Sequence, residues 1–255
     1  MVLENKIAIV TGGASGIGEE ICLQFAEQGA KVAIVDVNAE GARVVLDKIE
    51  ARGAKACHVH VDVSDGRKVQ DSVMKVLDLF GTVDILVNCA GFNQFVGVDK
   101  ITPELWEKAR SINLDGAWNL CRAVMDLMIK KKSGKIINVG SAAAILAIPN
   151  ALPYVVAKHA IVGLTRALAV DLGPYNINVN CICPGPVQTP LLDQATTANF
   201  RAEITKTIPL NRLGKPSDLA NAAVFLASSL SDWITGVVLP VDGGLVCCVR
   251  ARHWE

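Results

Sequence analysis

Two periodicities alternate along the chain. Short runs of apolar, mostly β-branched residues recur at Ile7–Val10, Val32–Val35, Val59–Val63, Ile85–Asn88, Ile136–Val139, Val179–Ile182 and Val237–Val241. Each is only a few residues long and nearly free of charge, the pattern of a strand covered on both faces. Between them apolar positions return every three or four residues, over Ile17–Gln28, Ala39–Ala51, Arg67–Leu79, Pro103–Lys131, Leu152–Leu172 and Pro216–Ala227. That is the pattern of helices with an apolar face. Strands buried on both faces and separated by helices require a parallel sheet with a helical layer on either side, joined by right-handed crossovers. The predicted fold class is α/β: a doubly wound, Rossmann-like parallel sheet of about seven strands.

One stretch breaks the alternation. Pro184–Lys215 is rich in Pro, Thr, Asn and Gln and predicts an irregular insertion, a substrate flap over about residues 186–213. With no linker, repeat or low-complexity segment, 1–255 reads as one domain. Composition adds exclusions. Of 255 residues about half are apolar, enough for a large core, and the charges sum to zero, which removes a general electrostatic reason to bind nucleic acid. No run reaches the length of a membrane span. The start, MVLENKIAIVTGG, reads as a strand and not a secretory signal, so a cytoplasmic protein is expected. Of the eight cysteines, Cys22, Cys57, Cys89 and Cys121 sit in apolar segments. Cys181-x-Cys183 and Cys247-Cys248 lack zinc spacing, and His58-x-His60 lacks further ligands; no metal site is predicted.

The chemistry begins where the first strand runs into Thr11-Gly12-Gly13-Ala14-Ser15-Gly16-Ile17-Gly18 and a helix follows. Glycines at this junction let backbone N–H groups approach a pyrophosphate at the helix N-terminus. The spacing Gly12-x-x-x-Gly16-x-Gly18 is neither the GxGxxG fingerprint nor a triphosphate P-loop. Asp36 ends the second strand, followed by Val37 and Asn38. A carboxylate there accepts from a ribose diol and repels a 2′-phosphate, which predicts NAD as the cofactor. Farther on, Tyr154-Val155-Val156-Ala157-Lys158 puts a phenol and an ammonium on one helix face, and a fixed cation favours the phenolate. Ser141 follows the fifth strand, at the sheet end where open α/β folds place ligands. Asn113 lies inside a long helical stretch, where a buried Asn implies a kink or a polar network.

Taken together, TGGASGIG at 11–18, Asp62-Val63, NCAG at 88–91, Asn113, Ser141, YVVAK at 154–158 and PGPVQTP at 184–190 resemble the short-chain dehydrogenase/reductase family over nearly the whole chain. The resemblance implies catalytic roles for four residues. Tyr154 would be the general acid/base, and Lys158 would support it and bind the nicotinamide ribose. Ser141 would bond the reacting oxygen, and Asn113 would hold a relay water. It further implies cofactor binding by Gly12, Ser15, Gly16, Ile17, Gly18, Asp36, Asp62, Val63, Asn88, Ala90, Gly91, Tyr154, Lys158, Pro184, Gly185, Val187 and Thr189. Members usually assemble as homotetramers or homodimers through the long helices and the last strand. The apolar tail Val237–Cys248 suits such a contact, and Val249–Glu255 could reach a neighbour's site or trail in solvent.

Substrate choice falls to Phe92–Val96 with Asn93 and Gln94, Ala142–Ala147 with Ala143, Ile145 and Leu146, and Pro190–Ile208 of the flap with Leu191, Leu192 and Phe200, alongside Ser141 and Tyr154. These segments are apolar with a few amides, which predicts a hydrophobic secondary alcohol or ketone, aromatic or alicyclic. A 3-hydroxyacyl thioester dehydrogenase or 3-oxoacyl reductase is the rival enzyme reading, and a non-catalytic NAD-sensing regulator the rival of another class. A methyltransferase would have no use for Tyr154 and Lys158.

Overall fold

A computed structural model describes residues 1–247. Its elements alternate as the periodicities require: β1 (Ile7–Thr11), α1 (Gly16–Glu27), β2 (Lys31–Asp36), α2 (Ala39–Glu50), β3 (Ala56–His60), α3 (Gly66–Phe80), β4 (Ile85–Asn88), α4 (Pro103–Arg110), α5 (Gly116–Lys131), β5 (Gly134–Val139), α6 (Leu152–Leu172), β6 (Ile177–Pro184), α7 (Pro190–Ala195), α8 (Ala198–Thr205), α9 (Pro216–Ala227) and β7 (Val238–Val241). The seven strands form one parallel sheet in the order β3-β2-β1-β4-β5-β6-β7. The order reverses between β1 and β4, the topological switch point at which such sheets open a ligand crevice.

Strand residues alternate between two cores. Ala8, Val10, Val32, Ile34 and Ile137 face one core, with Ile21, Phe25, Val45 and Ile49 from α1 and α2 and Leu219 and Ala223 from α9. Ile7, Ile9, Ala33, Val35 and Ile136 face the other, with Val73, Leu120, Val124 and Leu168 from α3, α5 and α6. Phe25 is fully buried, and cutting back an aromatic ring at such a position costs about 3–5 kcal/mol.

Three sequence expectations need correction. The third strand was expected over Val59–Val63 but pairs over Ala56–His60, because its only partner ends at Asp36, the register mate of His60. Val61 and Val63 keep their burial by packing under the crevice. The stretch Pro103–Lys131 is helical throughout but not one α-helix, since Ser111–Asp115 forms a π turn between α4 and α5. The Asn113 side chain causes it: Nδ2 donates at 2.8 Å to the Ala109 carbonyl, the acceptor the Asn113 N–H would use in an α-helix. The flap is not irregular but holds α7 and α8. Thr189 caps the first by accepting from Leu192 N–H, with Pro190 at its first turn, and Thr197 caps the second through Phe200 N–H. Cys248 and the tail Val249–Glu255 lie outside the described residues. No helix of the described residues is long and apolar enough to cross a membrane.

Candidate active site

The C-terminal ends of β1, β2, β4, β5 and β6 open into a cleft of about 1030 Å³. At one end lies the glycine turn. Gly12 and Gly16 take φ of +67° and +59°, and a Cβ on Gly18 would sit 2.1 Å from the Gly12 carbonyl oxygen. The turn therefore closes only without side chains at these positions. Ser15 precedes α1 without a side-chain cap bond, which leaves the helix's first N–H groups turned to the cleft. Asp36 accepts from Ala14 N–H at 3.0 Å and from Asn38 N–H at 2.9 Å, so the carboxylate is fixed between turn and strand end. Asp62 is fixed likewise by Ser64, whose N–H and hydroxyl both reach its Oδ1.

At the other end, three strands along the sheet from Asp36 and hence about 14 Å away, stand Ser141, Tyr154 and Lys158. Lys158 is buried, and its Nζ donates at 2.8 Å to the Val139 carbonyl. It lies 5.6 Å from the Tyr154 ring centre, as the i, i+4 spacing on α6 dictates. Among the described residues no carboxylate pairs with it. A buried ammonium held by one carbonyl is costly unless a further ligand or a developing negative charge uses it. Ser141 Oγ accepts from Ala143 N–H at 3.0 Å, which leaves its own hydrogen to donate. Cys89 also lines the cleft, but burial pushes its thiol up to about 12, so it stays protonated at neutral pH and is no nucleophile.

Beneath the cleft a pocket of about 10 Å³ is walled by Thr11, Asn88, Asn113, Val139 and Lys158 among others, the size and polarity one water needs. Asn88 Oδ1 is buried without a protein partner. Its Nδ2 donates to Asn138 Oδ1 at 2.9 Å, and Asn138 in turn donates to Thr165, a buried chain joining β4, β5 and α6. Asn113 spends its amide on Phe92 N–H, Phe92 C=O and Ala109 C=O. A Cβ on Gly91 would lie 3.2 Å from Asn113 Oδ1 and 3.8 Å from Lys158 Nζ, so the glycine keeps this corner open.

The sequence profile described as enoyl-(acyl carrier protein) reductase matches residues 12–246, from the glycine turn to just past the last strand. The chain belongs to the short-chain dehydrogenase/reductase family. This dehydrogenase/reductase is 38% identical to a hydroxy(phenyl)methylsuccinyl-CoA dehydrogenase subunit of Thauera aromatica, over 96% of this chain and 98% of that one. It is 41% identical to a 3-oxoacyl-(acyl-carrier-protein) reductase of Chlamydia muridarum at the same coverages. Among solved structures, a gluconate 5-dehydrogenase from Burkholderia cenocepacia, in complex with NADP and tartrate, superposes with a TM-score of 0.92 at 35% identity, covering 97% of both chains. The chain is accordingly an oxidoreductase acting on a CH–OH group in a family that uses nicotinamide cofactors.

Most residues singled out from the sequence line the main cleft of this dehydrogenase/reductase: Gly12, Ser15–Gly18, Asp36, Asp62, Val63, Ala90, Gly91, Asn93, Ser141, Ala143, Leu146, Tyr154, Lys158, Pro184, Gly185, Val187, Thr189, Leu191, Leu192 and Phe200. Asn88 and Asn113 instead line the small pocket below it. Gln94 and Ile145 turn to solvent and are not part of the wall. Sequence reasoning missed Ile148, Pro149, Asn150 and Leu245, while Gln194 and Ile204 fall inside the predicted flap without having been singled out. The first three follow Ser141 in the chain and had a signal in Pro149-Asn150, a turn pair. Asn150 adopts φ +59° and its carbonyl accepts from Val96 N–H at 2.7 Å. His58 and His60 stack edge to face at 6.3 Å. Among the described residues no group of three His, Cys, Asp or Glu converges as metal ligands.

Proposed function

We propose that this enzyme moves a hydride between NAD and a hydrophobic secondary alcohol or ketone, aromatic or alicyclic, with Tyr154 as general acid/base. The charges along the cleft carry this reading. Asp36 and Asp62 stand together at one end, Lys158 stands at the other, and no arginine lines the wall. A 2′-phosphate would meet two carboxylates and no cation, whereas a ribose diol can donate to Asp36. The glycine cradle that any Cβ would fill fits a dinucleotide pyrophosphate at the start of α1.

Gly12, Ser15, Gly16, Ile17 and Gly18 would then hold the pyrophosphate, with Thr189 against it. Asp62 and Val63 would flank the adenine, and Ala90, Gly91, Pro184, Gly185 and Val187 would wall the remaining length. Asn88 would act from below, through the sheet. When bound, the cofactor supplies the hydride acceptor. Tyr154 removes the hydroxyl proton in oxidation and returns it in reduction, while the Ser141 O–H donates to the same oxygen. Lys158 favours the phenolate through its buried charge and binds the nicotinamide ribose. The small pocket under Lys158 gives Asn113 and the free Asn88 oxygen room to hold a relay water. The flap over about 186–213 would cover the substrate as part of a single domain, 1–255.

A 3-hydroxyacyl thioester is the second reading, favoured by the aryl-substituted hydroxyacyl-CoA named for the Thauera aromatica relative. Assembly as a homotetramer or homodimer belongs to the proposal, supported by exposed Trp118, Val156 and Val170 on α5 and α6. So does a cytoplasmic location. The test follows nicotinamide absorbance with NAD and NADP side by side, over aryl ethanols, cyclic alcohols, hydroxyacyl thioesters and polyols. Turnover with NAD that falls about 10²–10⁴-fold in Tyr154→Phe is expected. Preference for NADP would overturn the reading of Asp36, and the thioester as sole substrate would install the second reading.

A further inference from the structure

Beyond the reacting centre, the cleft wall is made of Phe92, Phe95, Leu146, Ile148, Leu192 and Phe200 and carries no charged side chain. Within this wall one buried polar atom has no partner. Asn93 lines the cleft, yet its Oδ1 is buried without a hydrogen bond. A buried acceptor left unmade costs more than most bonds return, and most such groups in folded proteins find a partner.

The backbone that carries this amide is held on both sides. Just before it, Phe92 N–H and C=O are both bound by the Asn113 amide at 3.1 and 2.8 Å. The Phe92 ring lies 4.4 Å from Lys108 Nζ. Just after it, Val96 N–H donates to Asn150 C=O. The loop therefore cannot turn the amide outward to water by swinging as a whole. Rotation about the side chain's own torsions, by contrast, breaks no bond to the oxygen. An acceptor on a rigid backbone, unpaired in the free protein and able to turn by its own torsions toward the uncharged part of the cleft, is complementary to a neutral donor on a ligand.

We infer that Asn93 is a specificity-determining residue and that the substrate is a secondary alcohol bearing a second hydroxyl, which donates to Asn93 Oδ1. The inference rests on the reading given under Proposed function and narrows its substrate class to diols and the matching hydroxyketones. A cation in place of the second hydroxyl would find no carboxylate in this wall. A plain hydrocarbon there would leave the Asn93 oxygen unpaired in a closed site, the situation in which enzymes discriminate most strongly between hydroxylated and bare analogues.

The experiment compares matched pairs in the NAD assay: cyclohexanol against 1,2-cyclohexanediol, 1-phenylethanol against 1-phenyl-1,2-ethanediol, and 2-butanol against 2,3-butanediol. Wild type is expected to favour the diol of at least one pair by roughly 10–100-fold in kcat/KM. Asn93→Leu should abolish that preference while keeping turnover of the bare alcohol, which shows that the variant is folded and active. Asn93→Asp retains an acceptor and should retain the preference. Equal turnover within every pair, or a diol preference that survives in Asn93→Leu, would overturn the inference. A preference lost equally in Asn93→Asp would make the amide N–H the donor to the second hydroxyl and overturn the assignment of Asn93 Oδ1 as its acceptor. Turnover of neither member of any pair overturns instead the underlying reading of a hydrophobic alcohol dehydrogenase. NADH binding followed by fluorescence should be the same in all three proteins.

Discussion

The two ends of the cleft are built by different means. At the end proposed for adenosine, backbone does the work: a turn closed by three glycines, an uncapped helix start and two carboxylates pinned by neighbouring N–H and O–H groups. At the substrate end, side chains do it, from a loop, a 3₁₀ turn and two short capped helices. Backbone geometry tolerates almost no substitution, whereas an apolar wall accepts another apolar side chain at modest cost. One end can therefore keep a single shape while the lining of the other is free to vary.

That contrast can be broken most severely at Gly18. Its alanine variant forces a Cβ to 2.1 Å from the Gly12 carbonyl oxygen, and the whole turn must shift. NADH affinity should fall roughly 100-fold in a fluorescence titration; an unchanged affinity would remove the glycine turn from the cofactor site. Phe200→Ala, at the other end, should leave NADH binding alone and raise KM for bulky alcohols about 10-fold. Equal losses for bulky and small alcohols would mean that the ring packs the flap instead of touching substrate.

The smallest expected effect lies where the flap ends. The Arg212 guanidinium holds Asp218 by two bonds, of 2.6 and 3.1 Å, and keeps its carboxyl below the usual carboxylate range. Because the folded value is depressed, the stabilisation is present above the unfolded value near pH 4 and disappears as pH falls through the folded one. Arg212→Gln should thus lower Tm by only ~1–2 °C at pH 7, the pair being largely solvated, and by progressively less as pH falls below about 4. A pH-independent difference would trace the pair's effect to packing.

Legibility in the sequence follows the same division. Backbone-built features leave marks that a chain cannot hide: the spacing of Gly12, Gly16 and Gly18, the β-branched runs, and Tyr154 and Lys158 one helical turn apart. The bounds of α6 and α9 match the periodicity to the residue, since long amphipathic patterns bracketed by Pro or Gly are hard to misplace. What misled was context. Val59–Val63 has strand character throughout, but a ladder extends only as far as its partner, and β2 stops at Asp36. The helices of the flap were masked by polar composition, although Thr189-Pro190 and Thr197 are ordinary N-cap signals. The far wall, Ile148 to Asn150 and Leu245, comes from segments distant in sequence that only the fold brings together.

The strand order has a further consequence, for the time course of synthesis. β1 is flanked by β2, which follows within thirty residues, and by β4, which begins only at Ile85. Once residue 60 has emerged from the ribosome, a three-stranded half-sheet can close, but the other edge of Ile7–Thr11 stays open. At about 5–20 residues per second the missing neighbour arrives roughly 1.5–6 s later. For that interval the most apolar strand of the nascent chain offers its unpaired N–H and C=O groups to any passing segment. The same reversal of order that opens the crevice thus leaves the newborn half-sheet with one open edge until β4 arrives.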